Sequence, residues 1–249
     1  MIECPQSFVV ATECQKVAEQ NGFRRPIGEE NGWLHYGSTT AHATIYLAAA
    51  GSDGPWYLAV DHSGVVEELD LPTIDISGPG LKRYAFDTLT VLYAKLERVY
   101  QLSVSLPDVP LREFQAKVKN LETTEVDRLV RQRVGQDVFR KSLLGYWQSR
   151  CPLTGITDEI LLRASHIIAW TDCENDADRL DVHNGLLLSA LWDAAFDRGL
   201  VTFDDDGHPV FSPELSNTAR VELTWGNPIS LTDRHRERLE WHRKNQFRN

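Results

Sequence analysis

The sequence predicts an α+β protein in two parts, a small antiparallel sheet packed with helices and then a strand, loop, strand and helix in series. Three observations carry that reading. From Trp33 onward, short runs of aromatic and β-branched residues alternate with Gly-bearing turns, between two stretches of helical apolar spacing. Residues 163 to 199 join two short apolar runs by a long polar loop and close on an amphipathic turn of helix. Between these parts, Leu106-Pro107-Asp108-Val109-Pro110 interrupts the pattern and the local charge changes sign, which sets a boundary near 107 to 125. The expected division is an α+β domain at 1–110, a basic helical bridge at 111–149, and a domain at 150–249 that carries the chemistry and a C-terminal basic helix.

Taken in order, Ser7 to Asn21 carries Phe8, Val9, Val10, Ala11, Cys14, Val17 and Ala18 near helical spacing, and Asn21-Gly22 supplies a stop, so a packing helix is expected. Leu34-His35-Tyr36, Thr44 to Leu47, Trp56 to Val60 and Val65 to Leu69 read as strands, with Asp61-His62-Ser63-Gly64 as a hairpin connection. From about Leu81 to Leu102, the residues Tyr84, Leu89, Leu92, Leu96 and Val99 recur at helical intervals. His35, His42 and His62 match no metal-ligand spacing and are expected to be surface or hydrogen-bonded.

Thr123 to Trp147 is expected to be helical, with a break at Gly135. Thr124 and Asp127 resemble a capping signature, Phe139, Leu143 and Trp147 form an apolar face, and Arg128, Arg131, Arg133, Arg140 and Lys141 make the rest basic. Ala164 to Trp170 reads as a strand that holds His166, and Gly185 to Leu188 as a second strand. Ser189 is a good N-cap for a helix from about Ala190 to Arg198 that Gly199 closes. Thr202-Phe203 and Val210-Phe211 flank the turn Asp204-Asp205-Asp206-Gly207, a hairpin whose acidic run lacks the downstream ligand of a calcium loop. Thr232 caps a last, basic helix (Arg234, Arg236, Arg238, Arg243, Lys244) with Leu239 and Trp241 as anchors.

The chemistry concentrates in residues 163 to 199. Asp193 and Asp197 lie one helical turn apart, so both carboxylates face the same way. Two hard oxygen donors set opposite a strand-borne imidazole suit a Mg²⁺-type ion beside a base that activates water, and the matching reaction is phosphodiester hydrolysis.

The order His166, Asn184, Asp193 resembles the ββα-metal nucleases named for their His-Asn-His motif, the HNH endonucleases. Ala164-Ser165-His166-Ile167 with Trp170, Arg179-Leu180-Asp181, Asn184-Gly185-Leu186-Leu187-Leu188 and Phe196-Asp197-Arg198-Gly199 resemble a subgroup that accompanies restriction-type proteins. Upstream, Val134 to Asp137, Phe139-Arg140, Arg150-Cys151 and Thr154-Gly155 extend the likeness over about residues 130 to 205. The resemblance implies a C-terminal ββα-metal domain that cuts DNA. His166 would be the general base, Asn184 the brace of the long loop, and Asp193 a ligand for Mg²⁺ or Mn²⁺ at the family's nine-residue distance from the Asn. Ser165 stands where many members carry an Asp or His ligand, which leaves Asp197 or a water to supply that bond. Arg133, Arg140, Lys141 and Arg243 are the expected contacts to the nucleic-acid backbone. Two alternatives stay open, a nucleic-acid-binding module that has lost cleavage and a nuclease that acts on RNA.

Composition sets bounds on this reading. A hydrophobic content of 42% and a charged content of 25% suit a soluble globular chain. No apolar run approaches a membrane span and no secretory signal is seen, so a cytoplasmic protein with no membrane partner is expected. Four scattered Cys without a C-x-x-C pair argue against a disulfide framework and against structural zinc. The net charge of −10 is unfavourable for binding phosphate, but segments 111–149 and 232–249 are each net +3, so the basic charge flanks the presumed core. A homodimer is the assembly expected if one site cuts one strand and both strands are cut. The first domain would select the target, a DNA sequence or a modified base. Trp33, Tyr36, Trp56 and Tyr57 are core residues on the plainer reading and a base-stacking platform on the other.

Overall fold

A computed structural model describes residues 2–121 and 124–249, which divide into two compact units, Met1–Val109 and Pro110–Asn249. Among the described residues, no helix is long and apolar enough to cross a membrane.

The first unit is a five-stranded antiparallel meander in the order β1-β2-β3-β4-β5, with helices on one face. Helix α1 (Phe8–Gln20) starts where the Ser7 hydroxyl accepts from the Val10 amide and buries Val10, Cys14, Val17 and Ala18. Strands β1 (Arg25–Glu30) and β2 (Trp33–Gly37) turn through Asn31-Gly32, both at positive φ, as a two-residue hairpin requires. Strands β3 (Thr44–Ala49) and β4 (Trp56–Asp61) follow, then α2 (Ser63–Glu68), β5 (Lys82–Phe86) and α3 (Leu89–Ser105). The register pairs Tyr36 with Ile45, Ile45 with Val60, Leu47 with Leu58 and Leu58 with Tyr84, so one face is a continuous apolar layer. On the other face Trp33, Ala48, Tyr57 and Ala59 are covered by Ile2, Ile74 and Ile76.

Four sequence expectations change here. Val65 to Leu69 is not a strand: the His62 imidazole accepts from the Val65 amide, which starts α2, and the hairpin partner of β4 is β5. The helix expected from Leu81 begins only at Leu89, where Thr88 caps it; Tyr84 lies in β5, whose alternating burial fits a strand. Strand β1 went unseen because all six of its residues are exposed, so no apolar alternation marks it. Trp33, Tyr36, Trp56 and Tyr57 are at most 7% exposed, which removes the stacking platform and leaves them as core.

In the second unit, α4 (Val109–Val118) precedes α5 (Glu125–Tyr146). Thr123, where the expected helical region begins, lies outside the described residues; Thr124 caps α5 through the Asp127 amide. The helix does not break at Gly135. The Trp170 ring packs there so closely that a Cβ would fall 2.1 Å from its Cη2, so glycine serves a close approach rather than a bend. Strand β6 (Leu162–His166) leads into a long loop that holds α6 (Asp176–Leu180), and β7 (Gly185–Ser189) returns antiparallel with His166 opposite Gly185. Helix α7 (Ala190–Asp197) packs on both strands; Ser189 occupies its N-cap position without a side-chain bond.

The hairpin β8 (Val201–Phe203) and β9 (Pro209–Phe211), α8 (Asn217–Glu222) and α9 (Asp233–Asn245) complete the chain. The basic helix α9 buries Leu239 as expected, but its other buried residues are His235 and His242, while Trp241 is half-exposed. His242 stacks on Phe196 at 4.2 Å and shares a hydrogen bond with the Thr202 hydroxyl.

Candidate active site

His166 ends β6, where the cross-strand neighbour is Gly185. A Cβ on Gly185 would lie 2.4 Å from Phe139 Cζ, so the missing side chain lets α5 press the Phe139 ring toward the sheet. That ring stacks on His166 at 3.8 Å with 15° between the planes, and Trp170 meets the imidazole edge-on at 5.9 Å. Nε2 of His166 is 2.9 Å from the Arg179 carbonyl oxygen. A carbonyl can only accept, so Nε2 carries the proton and Nδ1 is left with a lone pair. Burial pushes the His166 pKa below the ordinary histidine value, against the Arg179 hydrogen bond and the Asp197 charge, which raise it. The imidazole is therefore neutral at neutral pH.

The Arg179 carbonyl is itself held by its own side chain. Nε donates to the Trp170 carbonyl at 3.0 Å, Nη2 to the Cys173 carbonyl at 2.7 Å, and Nη1 to Asp176 at 3.1 Å, with the guanidinium over the Trp170 ring. Asp176 also accepts from Arg131 on α5 at 2.5 Å. Asn184, 1% exposed, works on the same loop: Oδ1 accepts from the Ile168 amide at 2.9 Å, while Nδ2 donates to the Ile168 and Asp178 carbonyls and to the Cys173 sulfur. These two side chains close a loop of otherwise irregular backbone and fix the tautomer of His166.

The carboxylates come from α7. Asp193 is half-buried and accepts a very short hydrogen bond from the Ser165 hydroxyl, and Asp197 is exposed. Burial raises the Asp193 pKa and Asp197 raises it further, whereas the Ser165 bond and the Arg163 charge lower it. Asp197 thus acts on both His166 and Asp193, so the three groups share one electrostatic neighbourhood. Arg163 escaped the sequence reading, yet it stands two residues before Ser165 on β6 and so shares its face, a period-two relation that the sequence does contain.

Among the described residues, no group of three or more His, Cys, Asp or Glu side chains is arranged around a common metal position. The donor set present is two carboxylates and a serine hydroxyl, all hard oxygens. It fits an ion that keeps several waters and takes one or two carboxylates plus substrate phosphate oxygens, as Mg²⁺ does.

The four residues expected on the nucleic-acid backbone have different surroundings. Arg140 donates to the carbonyls of Leu162 and Glu159 and thereby holds the start of β6. Lys141 pairs with Glu113 at 2.9 Å, and Arg243 with the Phe203 carbonyl and Asp205 at 2.7 Å. Only Arg133 of the four is exposed with no partner among the described residues. The charge of α5 and α9 is thus largely taken up inside the unit, a pairing that residue type and spacing do not reveal. His183, next to Asn184, is buried and bound to Asp181.

Residues 151–204 match a family model described as HNH endonuclease, HNH_2. No curated protein matches the chain.

Proposed function

We propose that the chain is a divalent-metal-dependent DNA endonuclease of the ββα-metal type with a role in restriction or defence, in which His166 is the general base. The observation that carries this reading is the fixed tautomer of His166, with a lone pair left on Nδ1 and the imidazole in the electrostatic reach of Asp197, which also acts on Asp193. The match of residues 151–204 to HNH endonucleases supports the reaction class.

In the proposed reaction Nδ1 takes a proton from water as its oxygen bonds to phosphorus, and the bond from phosphorus to the 3′ oxygen breaks, leaving a 5′-phosphate end. The imidazolium that forms keeps its Nε2 hydrogen bond to the Arg179 carbonyl and gains from the negative charge of Asp197. A Mg²⁺ or Mn²⁺ ion held by Asp193, with Asp197, would offset the charge that develops on the phosphate and the leaving oxygen. Ser165 orients Asp193, and Asn184 braces the loop without touching substrate. Arg133, like Arg128, is exposed on α5 without a side-chain partner among the described residues and is free to meet a phosphate. Cutting both strands would take a homodimer or two encounters.

A plasmid-nicking assay with Mg²⁺, with Mn²⁺ and with EDTA tests the proposal. Metal-dependent nicking that disappears in His166→Ala, with the fold intact, is the expected result; equal activity in that variant refutes it. One observation favours a second reading, a binding module that has lost cleavage: Ser165, whose hydroxyl is taken up by Asp193, stands where the resemblance to HNH nucleases implies a further metal ligand. DNA binding without nicking under any metal would establish that reading, and structured RNA in the same assay decides the substrate.

A further inference from the structure

The first unit contains a cleft of about 940 Å³ formed by the end of α1, the start of β1, the loop between β2 and β3, and α3. Arg24 and Arg25 line it together with Tyr93, Tyr100, Gln20 and Gln101. Both arginines are exposed, and among the described residues neither has a carboxylate at ion-pair distance; Arg24 has only a 3.4 Å hydrogen bond to the Glu19 carbonyl. Glu97 is the one acidic residue of the lining, so the cleft is net positive although residues 1 to 110 hold 7 Lys and Arg against 14 Asp and Glu. Two guanidiniums without a carboxylate partner on one lining leave charge for an anion to meet through charge-assisted hydrogen bonds.

The cleft also carries a fixed aromatic ring in its lining. Tyr100 is held from three sides: its ring lies against Gly22, where a Cβ would fall 2.4 Å from Cε2, Phe23 meets it edge-on at 5.7 Å, and its hydroxyl shares a 2.9 Å hydrogen bond with Thr40. Gly22 has φ +84°, so glycine is needed there on backbone grounds as well. A ring already fixed in place loses little entropy when a ligand packs on it. Phosphate chemistry at the arginines, a tyrosine surface and side-chain amides that can donate and accept together describe a nucleotide rather than a phosphorylated side chain.

We propose that this cleft binds a nucleotide of the nucleic-acid strand, with Arg24 and Arg25 on phosphate, Tyr93 and Tyr100 against the sugar or base, and Gln20 and Gln101 on the base edge. The choice of nucleic acid over another phosphorylated polymer rests on the nucleolytic reading of the second unit. The test uses the full chain carrying His166→Ala, in EDTA, and follows fluorescence anisotropy of a labelled single-stranded oligonucleotide and of its duplex across a salt series.

Adding Arg24→Ala with Arg25→Ala is expected to weaken binding about tenfold or more and to flatten the slope of log K against log salt by about 1.4 to 1.8, the loss of two phosphate contacts. Gln20→Ala with Gln101→Ala is expected to weaken binding while leaving that slope unchanged. Unchanged affinity and slope in the arginine variant, with far-UV dichroism and melting as in the parent, overturn the proposal. So does a chain that binds neither oligonucleotide, or full displacement of the probe by a phosphoserine peptide of equal charge. With His166 present, nicking separates the two ideas: binding through the arginines in a chain that never nicks removes the nuclease and keeps the cleft, whereas normal binding and nicking in the arginine variant removes the cleft and keeps the nuclease.

Discussion

His166 and His183 belong to the same unit, both are largely buried, and their partners differ in one decisive respect. His166 gives its Nε2 proton to a neutral carbonyl and keeps a lone pair on Nδ1. His183 places Nδ1 2.7 Å from Asp181 Oδ1, and the other oxygen of Asp181 accepts from Arg238 of α9 at 2.6 Å. His235 packs edge-on to His183 at 5.2 Å, and Tyr146 of α5 is also in ring contact with it. Around His183 every charge has a counter-charge, and the result is a joint between α9 and the loop before β7. The charge that acts on His166 is the Asp197 carboxylate, which favours the protonated ring instead of locking the histidine into a paired network. The same residue type becomes structure in one place and a candidate base in the other according to what its second nitrogen and its neighbours require.

The comparison breaks if the two histidines prove interchangeable. The largest expected effect is that His166→Ala lowers single-turnover cleavage by about 10²- to 10⁴-fold while the chain stays folded at the assay temperature. The reverse pattern is expected at the joint. Arg238→Ala leaves Asp181 as a poorly compensated buried charge and costs about 3–5 kcal/mol of stability by chemical denaturation, while the folded fraction keeps its cleavage rate. A melting temperature within error of the parent would show that the joint carries no weight.

Acid sharpens the same contrast. Burial pushes the folded pKa of His235 down to about 3 and that of His242 to about 4. Below about pH 6.5 the unfolded chain therefore binds protons that the folded chain refuses, and stability falls with pH; at pH 5 the loss is about 2 kcal/mol for each histidine. Calorimetry at pH 7 and pH 5 measures it, and His242→Gln should remove about half of the difference. Next in size is Arg179→Lys, which keeps the charge but loses the three-point hold on the loop; cleavage should drop about tenfold, with kcat affected more than KM, because the carbonyl under His166 is less well fixed. The smallest effect concerns Thr124→Ala, which removes the cap of α5 and should cost about 1 kcal/mol without altering chemistry.

Legibility in the sequence followed how far each relation reaches along the chain. His166, Asn184, Asp193 and Asp197 stood out because strand, loop and helix present them within one short segment and in a recognisable order. The loop-closing bonds of Asn184 and the shared neighbourhood of His166 and the carboxylates are local consequences of that order. Gly135 was misread as a break, since the Trp170 ring that needs the space lies 35 residues away in the chain. The structural partners of Arg140 and Arg243, both expected on the nucleic-acid backbone, were not legible for a similar reason: the carbonyls that accept from them belong to distant elements. In the first unit, β1 carries no apolar pattern because it buries nothing, so only its pairing with β2 identifies it.

By itself the sequence determined the α+β composition, the strand-loop-strand-helix order and the residue types able to take a proton or hold a hard cation, because apolar period, caps and motif spacing are properties of neighbouring residues. Tertiary structure alone decided which nitrogen of His166 is protonated, which arginines remain free, and which histidines are sealed into the joint with α9. Those outcomes depend on carbonyls, rings and carboxylates brought together from far apart, and a hydrogen bond or an ion pair acts only over the few ångströms that folding closes.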